Sequence, residues 1–479
     1  MLAAARRLGV AFFLAATPAL AQGLPDLGDP SQLAFSASQE RQLGEEIMRE
    51  IRADKAYLDD PELVDYLNQL GYRLVGGTGT RQEFEFFVIR DPSINAFALP
   101  GGFIGVHTGL VLAAQSESEL AGVLAHEIAH VTQKHLARMI EGQKTNQLTS
   151  LIALAVAILA ARSNSQVSTA AIATAGAVNV QSQLNFTREN EREADRVGLQ
   201  VLEGSGFDGR GMASFFERLQ RGTRLYETGA PAYLRTHPLT YERIADIQNR
   251  VQSLPYHQVA ESTEFLLLKA KLQAELGSPR DAVTLMETNL RDRKYADEAV
   301  ARYGLAAALL RAGDVAGAAK QIAVLRKQFP PNPIIETLAG EVLFANDQQK
   351  AALDLYRQAL HSFPHHRALV YGYADVLIRT RQEQEALNFL SSYLNTQRGD
   401  PRLYDLEARA YAGIGRRLPQ HRAQAEAFVL RGNIPAAIDQ LQIAVRSGDG
   451  DFYELSAAEA RLRELRAMDA ENRKQRQQQ

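Results

Sequence analysis

The order of apolar and polar residues divides the chain near residue 255 into a first part of mixed pattern and a second part predicted to be almost wholly helical. In the first part, residues 84–89 (FEFFVI) are dense in aromatic and β-branched side chains, which predicts a β-strand. A second extended stretch, residues 96–106, is interrupted by Pro100-Gly101-Gly102, a sequence typical of a tight turn. The pattern therefore predicts a mostly helical α+β domain with a small sheet over residues 22–255.

Small residues recur in the second part at a fixed interval. Ala318, Ala352 and Ala386 are each 34 residues apart; Ala282 lies 36 residues before Ala318, and Ala437 continues the pattern after an insertion. A period of about 34 residues is typical of tetratricopeptide repeats, in which small side chains let paired helices pack closely. Residues 256–479 are therefore predicted to form an all-α tetratricopeptide repeat solenoid with a disordered C-terminal tail (ENRKQRQQQ); an irregular helical bundle is the alternative.

Two apolar segments bear on localisation. Residues 1–21 combine two arginines, an apolar run and a small-x-small ending, which predicts a cleaved signal peptide. The run is shorter than the roughly 20 residues that span a bilayer, which disfavours an uncleaved anchor. Residues 148–161 (LTSLIALAVAILAA) are also too short, so we expect a buried or surface-lying helix and at most peripheral membrane contact. An intramembrane site would rest on this segment alone. The Ser/Ala-rich residues 162–180 after it are expected to form a mobile loop.

Composition excludes several kinds of site. The chain has no cysteine, so it forms neither disulfides nor a thiolate zinc site. Its formal charge of -3 becomes -5 when Arg6 and Arg7 leave with the signal peptide, because two positive charges are lost. This acidic balance argues against general nucleic-acid binding.

The side chains best suited to bind a metal ion or transfer a proton lie in residues 120–131, LAGVLAHEIAHV. These residues are apolar or glycine except for His126, Glu127 and His130. A helix this apolar is buried, and a buried carboxylate beside two imidazoles needs a compensating charge. Histidines four residues apart lie on one helical face and can bind a single cation, with Glu127 placed to reach a water molecule. The segment predicts a zinc site with His126 and His130 as ligands and Glu127 as general base.

A third ligand is expected from residues 186–208, where Glu191 and Asp195 share a helical face with Ala194 and Gly198. Those small residues allow close approach to another helix, so Glu191 is the predicted ligand. Asp195, one turn later, could accept a hydrogen bond from the far nitrogen of a ligand histidine.

Two neighbouring features are better explained as ordinary surface residues than as parts of the site. Glu189 and Glu193 form a second pair on roughly the opposite face, where a solvated surface is expected. His135 follows His126 by nine residues, about half a turn out of phase on a continuous helix, so it is predicted to be a surface residue that points away from the site.

His237, in RTHPLTYERI, is a further candidate, followed by Arg243. Most histidines outside a motif are structural, but one beside a proline at a predicted helix start could reach an active site. We hypothesise that His237 either stabilises the oxyanion together with Arg243 or occupies the open position of the metal as a fourth ligand.

The motifs HEIAH, EREAD and THP, in this order and after NAFALPGGFIGVHTGLV, resemble those of gluzincin metallopeptidases of the CAAX prenyl protease superfamily. The resemblance implies a zincin fold, one Zn²⁺ on His126, His130 and Glu191, and Glu127 as general base. With the export signal and the repeats, it implies a periplasmic metalloendopeptidase. Its expected partners are unfolded or misassembled outer-membrane proteins and, through the repeats, the outer-membrane assembly machinery.

The peptide substrate is expected to lie extended along a strand edge formed by Asn95, Ala96, Phe97 and Ala98, since backbone pairing holds a chain without demanding one sequence. The alternative is that the same strand belongs to a hairpin of the hydrophobic core and has only a structural role. The alternative function is a non-enzymatic chaperone or adaptor that binds partners on the repeats and keeps zinc only for structure. The intact Glu127 disfavours that alternative, because structural zinc needs no buried base.

Overall fold

The computed structural model describes residues 36–141, 188–223, 232–255 and 259–478. The predicted signal peptide, the apolar segment 148–161 and the predicted loop 162–180 lie outside these ranges. None of the helices within the described ranges is long and apolar enough to cross a membrane.

Nine helices of the described residues surround a small sheet in the first part of the chain. They are α1 Ala37–Ala53, α2 Pro61–Gly76, α3 Thr108–Ala113, α4 Glu117–Thr132, α5 His135–Glu141, α6 Arg188–Gly204, α7 Arg210–Thr223, α8 Ala232–Thr236 and α9 Tyr241–Gln252.

The sheet has three strands in the order β1, β3, β2: β1 is Glu85–Ile89, β2 is Ala96–Leu99 and β3 is Phe103–His107. β1 pairs with β3 in parallel, whereas β2 pairs with β3 antiparallel, in the register of Ala96 with Val106. A short 3₁₀ turn, Pro100–Gly102, connects β2 to β3, and Gly101 and Gly102 both have positive φ. The predicted strands and turn are confirmed, and β2 forms one edge of the sheet.

The central helix α4 is buried along its whole length from Glu117 to Val131. Ser116 caps its N-terminus by accepting a hydrogen bond from the backbone N–H of Glu119. The helix ends at Thr132, and Lys134 adopts a left-handed conformation with φ 52° before α5 begins. This break turns the chain, so residues on either side of it do not share one helical phase.

The second part is an antiparallel array of helices, as the repeat pattern predicted. Ala318, Ala352, Ala386 and Ala437 are fully buried between helices, and Ala282 is 4% exposed. The helices are α10 Thr263–Ala274, α11 Pro279–Arg291, α12 Glu298–Arg311, α13 Val315–Gln328, α14 Pro333–Ala345, α15 Gln349–Ser362, α16 Arg367–Arg379, α17 Glu383–Leu394, α18 Pro401–Gly413, α19 Arg417–Leu430, α20 Ile434–Val445 and α21 Phe452–Gln478.

The C-terminal segment differs from the expected disordered tail. Helix α21 continues to Gln478, through most of ENRKQRQQQ. The segment contains Glu, Lys, Arg and Gln but neither Gly nor Pro, so its intrinsic helix propensity extends a helix that is already nucleated upstream.

The repeats pack against the first domain through polar contacts at the start of α2. Lys271 of α10 donates to both Asp60 and Glu62 (2.6 and 2.7 Å), and Arg367 pairs with Asp65 (2.6 Å). These contacts fix the repeat array against the helix that packs on the sheet.

Candidate metal centre

Helix α4 places the two histidines of the HEIAH motif side by side. His126 and His130, 0% and 2% exposed, turn their Nε2 atoms toward each other at 3.0 Å. One helical turn separates them, so both rings project from the same face. Together they offer two adjacent, buried ligand nitrogens.

Helix α6 brings Glu191 to these histidines. Its Oε1 lies 3.3 Å from His130 Nε2, and its Oε2 lies 3.5 Å from His126 Nε2. The approach depends on Gly198, where a Cβ would lie only 3.0 Å from the His126 backbone nitrogen. The small-residue face predicted from Ala194 and Gly198 therefore packs directly on the metal-binding helix.

His237 completes the group from the end of α8. Its Nδ1 lies 3.0 Å from Glu191 Oε1 and 3.4 Å from His126 Nε2. The ring of Tyr233 stacks on it with centroids 4.7 Å apart, and the Tyr233 N–H donates to the carbonyl of Ile94, beside β2. Tyr233 was not identified from the sequence, although it precedes His237 by one helical turn.

The four groups have the spacing that a small metal ion requires. One ligand atom from each of His126, His130, Glu191 and His237 lies within 4.8 Å of all the others. Tetrahedral ligands about 2.1 Å from zinc lie roughly 3.4 Å from one another, and the five separations given above run from 3.0 to 3.5 Å. The separations from Glu191 involve Oε2 toward His126 and Oε1 toward His130 and His237, so the spacing fits a single small metal ion.

Arg243 holds the carboxylates of the centre in place. It donates to Asp195 through Nε and Nη2 (2.6 and 2.7 Å) and to the carbonyl of Pro238 (2.8 Å), and its Nη1 forms an ion pair with Glu191 Oε2 (2.6 Å). Asp195 Oδ1 in turn lies 3.0 Å from His126 Nδ1, the nitrogen that faces away from the cluster. Arg243 thus contacts the centre through the carboxylates of Glu191 and Asp195.

The charges in the site leave a deficit of positive charge. Glu127, Glu191 and Asp195 are buried carboxylates, whereas Arg243 is the guanidinium among them. Burial acts to lower the pKa of His126, but hydrogen bonds to Asp195 and Glu191 outweigh this effect and raise the pKa to about 9. The raised pKa means that the surrounding carboxylates favour a positive charge at His126, which a bound metal ion would supply in place of the proton.

Glu127 lies beside the cluster. Among the described residues neither of its carboxylate oxygens makes a hydrogen bond of normal geometry, and His237 Nε2 is 3.6 Å from Oε1. Burial raises the pKa of Glu127, while charge on His237 and His126 and the backbone N–H of Ala98 act to lower it. A buried carboxylate whose pKa is raised in this way is suited to accept and return a proton.

The edge strand runs past this carboxylate. His107 donates its N–H to the carbonyl of Asn95, so in the antiparallel ladder the peptide groups of Ala96 and Ala98 face away from β3. The side-chain oxygen of Asn95 is buried and has no hydrogen-bond partner in the described structure. The Phe97 side chain lies on the face of the strand opposite to those of Ala96 and Ala98 and packs edge-on against Phe87.

The prediction that His135 is a surface residue is wrong. Its ring is fully buried, with Nδ1 2.9 Å from His130 Nδ1 and Nε2 3.0 Å from Glu193 Oε2. The prediction assumed that His126 and His135 lie on one continuous helix. Because the chain turns at Lys134, the His135 side chain points toward the site instead. Glu193, expected on a solvated face, is correspondingly half-buried and also pairs with Arg138 (3.0 Å).

A model of peptidase family M48 matches residues 65–251, and two tetratricopeptide repeat models match residues 267–333 and 343–410. The beta-barrel assembly-enhancing protease of Escherichia coli (strain K12) is 33% identical over 455 residues, which cover 94% of this chain and 92% of that protein. The chain belongs to peptidase family M48.

Two other relatives match over different lengths of the chain. The putative beta-barrel assembly-enhancing protease of Vibrio cholerae serotype O1 is 35% identical over 88% of each chain. The mitochondrial metalloendopeptidase OMA1 of Schizosaccharomyces pombe is 33% identical over 204 residues, which cover 41% of this chain and 55% of that protein.

The M48 match includes all four groups of the cluster and the HEIAH motif. The resemblance based on HEIAH, EREAD and THP is thus confirmed, as is the mostly helical domain followed by tetratricopeptide repeats. The chain is an M48 metallopeptidase whose His/Glu cluster implies a bound metal ion.

Proposed function

We propose that the chain is a zinc endopeptidase with one Zn²⁺ held by His126, His130 and Glu191. The observation that carries the proposal is the buried cluster of ligand atoms with Glu127 beside it. Histidine nitrogens and a carboxylate suit zinc, and two histidines with one glutamate are a catalytic rather than a structural ligand set. Bound zinc would polarise the scissile carbonyl and lower the pKa of a water molecule toward about 7.

In this mechanism the protein side chains move the proton and position the ligands. Glu127 accepts a proton from the attacking water and delivers it to the leaving amine. Asp195 holds His126 through Nδ1, and Arg243 neutralises Asp195 and Glu191 so that both stay ionised. Burial keeps bulk water from competing for these contacts.

The substrate would bind as an additional strand along β2. The outward peptide groups of Ala96 and Ala98 can pair with an extended chain, and the amide of Asn95 can bind a substrate backbone group. The position of β2 next to Glu127 would place the scissile bond beside the base. Backbone pairing of this kind selects unfolded segments more than particular sequences.

His237 is proposed to close the site at rest. Its Nδ1 stands where a fourth ligand would, and α8 is hydrogen-bonded to Ile94 at the start of the edge strand. Arg243 is engaged by Asp195, Glu191 and Pro238, which favours the closing role over the shared oxyanion role. Substrate would then have to displace His237 before cleavage.

The variant His237→Ala tests this closure. If His237 blocks the fourth position, casein cleavage by the full chain rises at least several-fold over the wild type while zinc stays bound. If His237 stabilises the transition state instead, kcat falls by roughly 10²–10³-fold. Unchanged cleavage would contradict both roles.

The cellular role is proposed from the relatives and the first residues of the chain. Residues 1–21 would be removed on export to the periplasm, leaving a protease domain over 22–255 and a repeat domain over 256–479. Relatives named for beta-barrel assembly favour unfolded or misassembled outer-membrane proteins as substrates, with the assembly machinery as partner of the repeats. Cleavage of an unfolded outer-membrane β-barrel protein, but not of its folded form, is the expected result.

A chaperone or adaptor activity is the second candidate, and one feature supports it. A cavity of about 840 Å³ lies between the start of α2 and the repeat helices, lined by acidic and basic side chains that include Glu62 and Arg402. Such a cavity could hold a polypeptide segment without cleaving it. Glu127→Gln would separate the two activities by abolishing cleavage while leaving binding intact.

A further inference from the structure

One histidine of the metal centre is held from behind by another histidine. His130 turns Nε2 toward His126 and Glu191, and its other nitrogen, Nδ1, lies 2.9 Å from Nδ1 of His135. The two ring planes are inclined at 76°, so the rings meet through their nitrogen atoms and do not stack. The contact is therefore a directed hydrogen bond.

The geometry permits one arrangement of protons when His130 is a metal ligand. A ligand imidazole is neutral and uses the Nε2 lone pair for the metal, so its proton resides on Nδ1. That N–H donates to Nδ1 of His135, which leaves His135 to carry its own proton on Nε2. Glu193 Oε2 lies 3.0 Å from this Nε2 and accepts it. The hydrogen bonds thus run outward from the ligand to a carboxylate.

Glu193, at the outer end of this row of hydrogen bonds, is itself held by an ion pair. Arg138 donates to the same oxygen of Glu193 at 3.0 Å. His135 and Arg138 both belong to α5, whereas Glu193 belongs to α6, so the contact joins two elements behind the metal centre. The charge on Glu193 is shared by one imidazole and one guanidinium.

Helix α6 carries three carboxylates at every second position, Glu191, Glu193 and Asp195, and these lie near both ligand histidines. Glu191 faces the cluster, and Asp195 lies 3.0 Å from Nδ1 of His126. Glu193 reaches His130 only through the intervening ring of His135. The two ligand histidines thus receive equivalent support, one directly from a carboxylate and one through an imidazole.

We propose that His135 and Glu193 are positioning residues that fix the orientation and tautomer of His130 as an Nε2 metal ligand. This inference rests on the proposed metal binding by His130. Hydrogen-bond partners of ligand histidines orient the ring and raise its basicity, and their loss lowers metal affinity by about 10–100-fold.

A purely space-filling role makes different predictions. If His135 only filled a buried volume, leucine would replace it without loss of zinc affinity. Glu193, whose side chain is 30% exposed, would then be dispensable as well. The hydrogen-bonding role requires a nitrogen or oxygen acceptor at position 135 and an acceptor at position 193.

The test measures zinc affinity directly. The full chain is stripped of metal with a chelator, and Zn²⁺ binding is followed by competition with a chromophoric chelator. His135→Leu and Glu193→Ala are expected to bind Zn²⁺ about 10–100-fold more weakly than the wild type. His135→Asn, whose amide oxygen can accept from His130, is expected to recover most of this loss. Glu189→Ala removes an exposed carboxylate one turn earlier on α6 and is the matched control, expected to bind like the wild type.

Two further measurements distinguish a lost positioning contact from a variant that does not fold. Thermal melting of the metal-free chains shows whether each variant folds, and the Co²⁺ absorption spectrum reports ligand geometry: it should change in His135→Leu and return toward the wild type in His135→Asn. Should His135→Leu fail to fold, Glu193→Ala and His135→Asn decide the matter. Equal affinity in every variant would overturn this inference alone, whereas a wild type without zinc affinity would overturn the proposed function with it.

Discussion

Arg243 is the residue on which the charge balance of the centre depends most. It is 2% exposed, it donates hydrogen bonds to the buried carboxylate of Asp195, and it forms an ion pair with that of Glu191. The pKa of Asp195 is affected first by burial, which raises it, but the hydrogen bonds from Arg243 and His126 outweigh burial and lower it. Asp195 therefore stays ionised and continues to hold His126.

Replacing Arg243 by methionine would leave these carboxylates without their cation. Breaking a buried ion pair in this way costs roughly 3–5 kcal/mol of unfolding free energy. Arg250→Met in the same helix removes an exposed pair with Asp246 and should cost less than about 1 kcal/mol. Urea unfolding of both variants tests the difference, and similar losses in the two would contradict the role given to Arg243.

The sequence specified the inner residues of the site better than the outer ones. His126, Glu127 and His130 follow from a local spacing, and Glu191 from the small residues beside it, because one helix determines both patterns. The partner of Arg243 could not be predicted, since the contact joins α9 to α6 across 48 residues. His237 was a candidate only because of its adjacent proline.

At the scale of elements, the contact of α6 with α4 decides whether a third ligand reaches the histidines. A Cβ at Gly198 would meet the His126 backbone nitrogen at 3.0 Å and the Ala125 carbonyl oxygen at 3.1 Å. Backbone atoms of a buried helix cannot move aside as a flexible side chain can. The glycine thus sets the distance between the two helices.

Gly198→Ala should push α6 away from α4 and weaken both stability and zinc binding. Overpacking of this kind costs typically 1–3 kcal/mol, so we expect a loss of about that size. Gly204→Ala is the matched control, because a Cβ there meets no atom within 4 Å. It should be neutral or slightly stabilising. Zinc retention after dialysis and thermal melting distinguish the two, and equal behaviour would refute the close-packing account.

Helix boundaries mark the limit of prediction at this scale. Nothing in VTQKH shows that Lys134 adopts a left-handed conformation, so the expected position of His135 was displaced by the break between α4 and α5. At the end of α21 the helix extends into residues that were predicted to lie outside it. Polar helix-forming residues can extend a helix that packing has already started.

At the scale of the whole molecule, the join between the two domains contains a buried carboxylate with an unusual pKa. The pKa of Glu62 is raised to about 7: burial is the largest cause, Lys271 opposes it through its charge and hydrogen bond, and the neighbouring Asp60 and Glu341 add to the rise. His366 Nε2 lies 4.0 Å from the same carboxylate. Glu62 is therefore easier to protonate in the folded chain than in the unfolded one.

Stability should consequently fall as pH rises through this pKa. Between an unfolded value near 4.5 and the folded value of about 7, the folded chain binds more protons, so the contribution is largest at low pH and lost above pH 7. The wild type should lose more stability between pH 5.5 and 8 than Glu62→Gln does. Glu50→Gln, an exposed carboxylate, should behave like the wild type. Urea midpoints at both pH values provide the comparison, and identical curves for all three chains would contradict it.

The domain order could be predicted from the sequence, because a repeat period and a metal motif are both local patterns. The docking of the two domains could not. Contacts such as Arg367 with Asp65 join residues 302 positions apart, and neither residue type nor spacing distinguishes them from ordinary surface charges.

The most direct test of the central claim is zinc content, measured by elemental analysis together with casein cleavage, for the wild type and Glu127→Gln. The account predicts one zinc ion per chain in both proteins, with cleavage by the wild type and a loss of about 10²–10⁴-fold in the variant. A wild-type chain that binds no zinc, or a Glu127→Gln variant that cleaves as fast as the wild type, would contradict it.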